Sequence, residues 1–385
     1  MSIRVLHLNS LLTGGGTDDQ CVKLAAELRR LGHDASIAGP PDREFAKTIA
    51  ALEIPHFFAP PNKIGFVLAV AKRIRAAGIQ IVHGHHGRDL WPTILAAKLS
   101  GCRPKIVLTR HLAKSPSSWF SRQFLLGQCD AVIAVSNFVA QVLRQGVFEP
   151  QSAEPERRAR PPLRGDHEKI HVIHGAIDTN RFRPFHASAL RTEWKLPQDN
   201  FVFAVAGGYT LPRGKGQREF LVAAGRVHEK IPRARFLIVG RGNMAKILRA
   251  DIERLGLTGK AWLTPYCQEM PQAMNAIDCL VHPQIGTEAL GLVVCEAHAC
   301  GKPVIASALD GIPEAFAAGQ LGQLVEPESI DALATAMVAQ AAAAPLSGIA
   351  REDAHARVAE KFSLPVMAAN VARLYRNLLD KPTRS

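Results

Sequence analysis

Two glutamates, Glu288 and Glu296, stand eight positions apart in the segment HPQIGTEALGLVVCEAHACGKPVIAS. Between them, Ala289 and Gly291 leave the backbone bare where a helix is expected to begin, at Leu292. A helix start presents unpaired N–H groups and the positive end of a dipole, which suits an anion such as a diphosphate. Glu288 then precedes the helix and Glu296 lies one turn inside it. One carboxylate can face a sugar ring while the other reaches a ribose, and neither needs a metal to do so. A lone pair of glutamates at this spacing also describes an ordinary loop and helix with solvated side chains. The flanks favour the site. IDCLVHP ahead of it and GKPVIAS behind it read as strands. Together they make a βαβ unit with the carboxylates at the carboxyl end of its first strand, where open α/β sheets bind ligands.

Cations precede this unit in FAVAGGYTLPRGKGQREFL. A strand enters a glycine-rich turn, and Arg213 and Lys215 stand at the mouth of a helix. Two cations with helix N–H groups form a diphosphate clamp, the arginine able to bind in bidentate fashion. A Walker loop is excluded, since no G-x4-G-K-[ST] occurs. Near the start of the chain, LLTGGGTDDQ joins a strand to a helix. Gly14, Gly15 and Gly16 let the backbone pass close to a ligand, and Thr17 or Asp18 is placed to cap the helix. A dinucleotide fingerprint fails here. Its sixth position is Asp19, and the second strand, SIAGP, ends without an acidic residue. His83, His85, His86 and His111 all fall at carboxyl ends of expected strands. The spacing of the first three does not favour zinc. His111, after KIVLTR, sits where a substrate hydroxyl could be met.

Both halves of the chain alternate strand and helix periods, as parallel sheets with crossover helices require. In the first half the strands are IRVLHLNS, HDASIAG, IQIVHGH, KIVLTRH, AVIAVS and KIHVIHG. In the second they are NFVFAVAG, ARFLIVG, KAWLTPY, CLVHP and PVIAS. Residues 149–168 are charged and proline-rich and read as a flexible surface insertion. Residues 178–197 read as a linker. The expected domains are 1–183 and 184–365, with a helix at about 366–381. The length of 385 residues suits two domains. No run of about 18 apolar residues suggests a membrane span, and MSIRVLHLNSLL reads as a strand rather than a leader. Seven scattered cysteines, with no C-x2-C pair, argue against a disulfide framework and fit a reducing cytoplasm.

The net charge of +13 lies mostly in residues 1–183, with 25 Lys/Arg against 15 Asp/Glu. Such an excess attracts phosphorylated acceptors or anionic membrane surfaces. Nucleic acid is not an expected partner, with 6% aromatic residues and no binding motif. One segment, 110–126, combines charge with bulk. Arg110, Lys114 and Arg122 could meet lipid phosphates while Trp119, Phe120, Phe124 and Leu125 enter the interface. Lys72, Arg73 and Arg75 on a neighbouring helix could add to it.

The combined pattern resembles family 4 of the retaining glycosyltransferases, over nearly the whole chain. The resemblance rests on TEALGLVVCEAHACGKPVIAS, the GGG turn at 14–16, LTRH ending in His111, AVIAVSNF at 131–138, HGAIDTNRF at 174–182, PRGKG at 212–216 and IVGRG at 238–242. It implies a GT-B fold, two Rossmann-like doubly wound α/β domains facing across a cleft, with the last helix returning to the first domain. It implies a nucleotide-diphosphate sugar as donor, no cofactor and no catalytic metal. Glu288 would contact the donor sugar, Glu296 the ribose, and Arg213 with Lys215 the diphosphate. Backbone at Leu290, Gly291, Leu292, Gly15 and Gly16 would complete the cradle, and His111 would touch the transferred sugar. The implied product is a glycan or glycolipid of the cell envelope, similar to the lipopolysaccharide-core type. Two departures stand out. Gly207-Gly208 replaces the Gly-Arg of many members, and His174 replaces the usual Asn of Asn-Gly-x-Asp. Competing readings are a sugar-nucleotide epimerase, a phosphorylase with lysine-bound pyridoxal phosphate, or a non-catalytic protein of the same fold.

Overall fold

A computed structural model describes every residue except 1, 13–14, 41–42, 61, 150–157, 198, 212–213, 266, 268 and 381–385. The chain forms two compact units, Met1–Ala176 with Leu364–Ser385, and Ile177–Ser363.

The first unit contains β1 (Arg4–Leu8), β2 (Asp34–Ala38), β3 (His56–Phe57), β4 (Ile81–Gly84), β5 (Lys105–Arg110), β6 (Ala131–Ala134), a two-stranded pair β7 (Val147–Phe148) and β8 (Ala159–Arg160), and β9 (Ile170–Val172). The sheet order is β3-β2-β1-β4-β5-β6-β9, and every pairing is parallel. Its central strands are buried on both faces, which is why they read as continuous apolar runs rather than alternating ones. The crossovers are α1 (Gly16–Arg30), α2 (Arg43–Ala51), α3 (Lys63–Ala77), α4 (Leu90–Leu99), α5 (Trp119–Gln128) and α6 (Asn137–Arg144). Local chemistry sets their ends. Asn62 caps α3 by accepting from the Gly65 N–H, and Gly78 closes it in the left-handed region. Ser118 and Ser136 cap α5 and α6 in the same way.

The second unit holds β10 (Phe201–Ala206), β11 (Ala234–Val239), β12 (Ala261–Leu263), β13 (Cys279–His282), β14 (Val304–Ser307) and β15 (Gly322–Val325), again all parallel, in the order β12-β11-β10-β13-β14-β15. Each sheet reverses its winding once, between β1 and β4 in the first unit and between β10 and β13 in the second. Both are therefore doubly wound, Rossmann-like units with a crevice expected at the switch point.

Several expectations are corrected. The first boundary falls at 176/177 rather than 183/184, because Ile177 forms a parallel bridge with Ser363 and donates its N–H to the Phe362 carbonyl. Phe182 packs in the second unit's core, so the supposed linker belongs to that unit. The final helix, Leu364–Asp380, starts at the second boundary and shares one core with Val22, Leu24 and Leu28 of α1. Of the expected flexible insertion 149–168, residues 150–157 lie outside the described residues. The remainder is anchored: β7 pairs with β8, Arg160 and Leu163 are each 1% exposed, and Arg160 pairs with Glu149. Finally, the N-cap residue of α1 is Gly15, which has no side chain to cap it, and Asp18 turns to Asn9 and His86.

Candidate functional site

In the second unit the carboxyl ends of β10 and β13 gather the charged residues. After β10 the chain turns through Gly207 and Gly208 toward Lys215 and the helix Gln217–Lys230. Gly216 holds φ at +82°, and a Cβ there would lie 1.9 Å from the Pro283 carbonyl oxygen. Only glycine lets this turn approach the end of β13 so closely. Buried Gln217 fastens the same turn, accepting from the Lys215 N–H at 2.6 Å and donating to the Gly208 carbonyl at 3.4 Å.

Beyond β13, the loop 286–291 leads to the helix Leu292–Ala299, with Gly291 as its left-handed N-cap residue at φ +85°. The loop is pinned from below. The Glu288 N–H donates to Asp310 Oδ2 at 3.1 Å, and the Gly311 N–H donates to the Glu288 carbonyl at 3.2 Å. So supported, Glu288 Oε2 accepts from Lys215 Nζ at 2.6 Å. Burial, the largest influence, would raise the Glu288 carboxyl; the Lys215 ammonium, His282 and the Ala289 N–H together outweigh it and leave it below its ordinary value. Beside this pair lies His282, 2% exposed, with neither ring nitrogen hydrogen-bonded among the described residues. Burial pushes its imidazole down to about 4, so it stands neutral at pH 7. A neutral ring, a cation–carboxylate pair and a bare helix start thus face the same switch point, and an entering diphosphate would meet Lys215 and the helix N–H groups together.

In the first unit the carboxyl ends of β1, β4 and β5 carry a polar network. Asn9 Nδ2 donates to Asp18 Oδ1 at 2.9 Å, and His86 Nε2 meets the same oxygen at 2.8 Å. His7 Nδ1 and His85 Nε2 are 3.0 Å apart, His85 Nδ1 and His111 Nε2 3.5 Å. His83 is spent on Tyr375 Oη and Thr109 Oγ1, each at 2.6 Å. Burial holds His7 and His111 at about 3, and His83 and His85 well below their ordinary value. The rings are therefore neutral donors and acceptors. The trio with mutually close nitrogens is His7, His83 and His85, whose ligand atoms lie within 4.8 Å of one another; His86, from the trio considered in the sequence, turns to Asp18 instead. Above this network Gly15, at φ +130°, and Gly16 have open space where a Cβ would be, so the turn leaves its backbone uncovered.

The sequence-derived residues therefore divide by unit. Lys215, Glu288, Leu290, Gly291 and Leu292 come together around one turn and one helix start, with Glu296 partly buried in the helix that follows. Gly15, Gly16 and His111 belong to the first unit. Arg213 lies outside the described residues. Sequence reasoning missed Asn9, Gln217, Asp310 and the roles of Asp18 and His282. The available signal was position: Asn9 and His282 both stand at the carboxyl ends of strands that flank a reversal of winding. In the segment 110–126, Trp119, Phe120 and Phe124 are exposed as expected, but Leu125 and Arg110 are buried, because Leu125 turns into the core from α5 and Arg110 is the last residue of β5.

Comparison with known proteins agrees with this architecture. The family model described as Glycosyltransferase Family 4 matches residues 14–152, and that described as Glycosyl transferases group 1 matches residues 200–342. A D-inositol 3-phosphate glycosyltransferase of Catenulispora acidiphila is 34% identical over 170 residues, which cover 41% of this chain and 40% of that protein. The chain spans about two fifths of the length of the curated relatives it matches. Among solved structures, a glycosyltransferase from Rickettsia africae superposes with a TM-score of 0.83 at 22% identity, over 99% of this chain and 100% of the other. Anabaena HepE in complex with UDP-glucose gives 0.78 at 20% identity, over 97% and 100%. Two doubly wound units of GT-B type, each matched by its own family model, place the chain in glycosyltransferase family 4.

Proposed function

We propose that the protein is a retaining glycosyltransferase that moves a hexose-type sugar from a nucleotide-diphosphate sugar to a glycan or glycolipid acceptor of the cell envelope, of the lipopolysaccharide-core kind. The observation that carries this reading is the Lys215–Glu288 pair at the mouth of a glycine-capped helix. In the reaction the bond from the anomeric carbon to the diphosphate oxygen breaks, its electron pair leaves with the diphosphate, the acceptor hydroxyl oxygen bonds the same carbon, and the hydroxyl proton passes to the departing diphosphate. Charge develops on the departing diphosphate, so a fixed ammonium and helix N–H groups there stabilise the transition state more than the ground state. Glu288, held ionised by Lys215, orients the sugar hydroxyls; Glu296 takes the ribose; Arg213 joins Lys215 on the diphosphate; His111, neutral, accepts or donates one hydrogen bond to the transferred sugar. In this reading the chain's own cations do the neutralising, with no cofactor, and EDTA leaves the rate largely intact.

The acceptor side belongs to the first unit in this reading, and the enzyme works on the inner face of the cell membrane. Exposed Trp119, Phe120 and Phe124 on α5, with Arg88 nearby in the same unit, support docking on an anionic surface. Among the described residues no helix is long and apolar enough to cross a membrane.

A thermal-shift panel of UDP-, GDP- and ADP-sugars tests the donor. A true donor at about 100 times its dissociation constant adds roughly 2.7 kcal/mol of stability. No shift with any of the three would remove the transferase reading.

A further inference from the structure

Apart from the polar network, the first unit contains a cavity of about 910 Å³. Small-molecule sites occupy roughly 300–1,000 Å³, so this is a large one. Its apolar wall comes from the start of α3, from α4 and from Leu112. Ile64 and Leu68 are 76% and 57% exposed, and Leu95, Leu99 and Leu112 are each about half exposed. Monomeric proteins rarely leave such a contiguous apolar surface without a use for it.

The polar part of the lining has one sign. Lys63, Arg88, Arg110, Lys114, Arg122 and Arg160 line the cavity, and among the described residues no carboxylate does. Arg110 is the decisive member. It is 4% exposed; its Nη2 donates to the Lys114 carbonyl at 2.6 Å, and among the described residues its Nε has no partner and no carboxylate pairs with it. Buried Arg160, by contrast, has Glu149 and the Phe138 ring. A buried guanidinium without an anion is costly, and burial lowers the Arg110 group to about 10. Gly87 also lines the cavity, and a Cβ there would come within 3.1 Å of Arg110 Nη1. The missing side chain leaves that edge of the guanidinium uncovered.

A free phosphate would answer Arg110 and leave the leucines bare. A neutral hydrocarbon would do the reverse. A bilayer surface cannot reach a side chain this deeply buried. We infer that the cavity holds a single phosphorylated long-chain lipid, its phosphate or diphosphate on Arg110 and its hydrocarbon along Ile64, Leu68, Leu95 and Leu99. That this lipid carries the sugar acceptor rests on the transferase reading; the binding site itself does not.

Calorimetry with alkyl phosphates below their micellar concentrations provides the test. Dodecyl phosphate is expected to bind saturably at one per chain, and affinity to rise about fourfold per methylene from octyl to dodecyl, as burial of each CH2 predicts. Dodecanol should bind at least tenfold more weakly. Arg110→Met should bring dodecyl phosphate down to the dodecanol level, and Leu68→Asp, at an exposed position, should weaken both at least tenfold. Should Arg110→Met fail to fold, Leu68→Asp and the dodecanol comparison still decide. Equal affinity for dodecyl phosphate and dodecanol, inorganic phosphate binding as tightly as dodecyl phosphate, indifference to Leu68→Asp, or binding to anionic vesicles alone would each overturn the inference. Separate titrations with UDP, GDP and ADP keep the two readings apart. Any one of them bound without dodecyl phosphate removes the lipid site only, and dodecyl phosphate bound with none of the three removes the transferase reading only.

Discussion

Lys215 and Glu288 are the smallest unit on which the proposed chemistry can be tried. Their 2.6 Å contact is partly exposed, so as a stabilising ion pair it contributes little. Its worth lies in holding an ammonium where a diphosphate would arrive. Lys215→Ala should therefore cost about 2–5 kcal/mol in transition-state stabilisation, read as kcat/KM, with little change in the melting temperature of the unliganded protein. Near wild-type turnover would show the clamp to be misassigned. The glutamates should separate by ligand. Glu296→Ala is expected to weaken free nucleoside diphosphate in calorimetry, whereas Glu288→Gln is expected to spare that binding and reduce transfer; the opposite pattern would mean the roles are exchanged. These residues were legible in the sequence because both cations and both carboxylates lie within short, glycine-marked segments. Asp18 was not. Its place at the head of α1 suggests a cap, and only the approach of Asn9 and His86 from two other strands turns it into a network member.

Glycines mark where the elements must meet. At the helix Gln217–Lys230, Gly216 just before its start and Gly225 within it should respond in opposite directions to alanine. At Gly216 the added Cβ meets the Pro283 carbonyl at 1.9 Å and the backbone is left-handed, so Gly216→Ala should destabilise by about 1–3 kcal/mol or more and displace Lys215. At Gly225 the space is open and the position is mid-helix, so alanine should add about 0.5–1 kcal/mol. Urea unfolding of both variants checks the pair, and equal effects would contradict the turn geometry. Strand positions and the helix start at Leu292 followed from period and glycine spacing, since both are local. The boundary at 176/177 did not. It depends on Ile177 reaching Ser363, a contact that no window of neighbouring residues contains.

The whole molecule carries an acid sensitivity that no single element shows. His7, His83, His85 and His111 in the first unit, and His282 and His298 in the second, are all lowered by burial. Below the ordinary histidine value of 6.5 the unfolded chain takes up protons that these buried rings refuse. Stability is thus full above about pH 6.5 and falls as pH drops toward the lowered folded values, about 3 for His7 and about 4 for His282. Each ring contributes a slope of at most about 1.4 kcal/mol per pH unit in that window. Melts at pH 8, 6.5, 5 and 4 should show a progressive loss, while a flat profile down to pH 4.5 would mean that the rings protonate in the folded state.

The return of the last helix to the first unit has a consequence for biosynthesis. Tyr375 closes the core beneath His83, and Met367, Val371 and Leu374 complete the packing on α1. A ribosome emits residues 177–363 as one uninterrupted stretch, but it has not released the closing piece of the first unit until after that stretch is made. The unit begun first is finished last. A nascent chain paused once residues up to Ser363 have emerged should accordingly present a protease-resistant second unit behind a first sheet that is still being digested, and a shortened gene lacking the final helix should lose the first unit before the second.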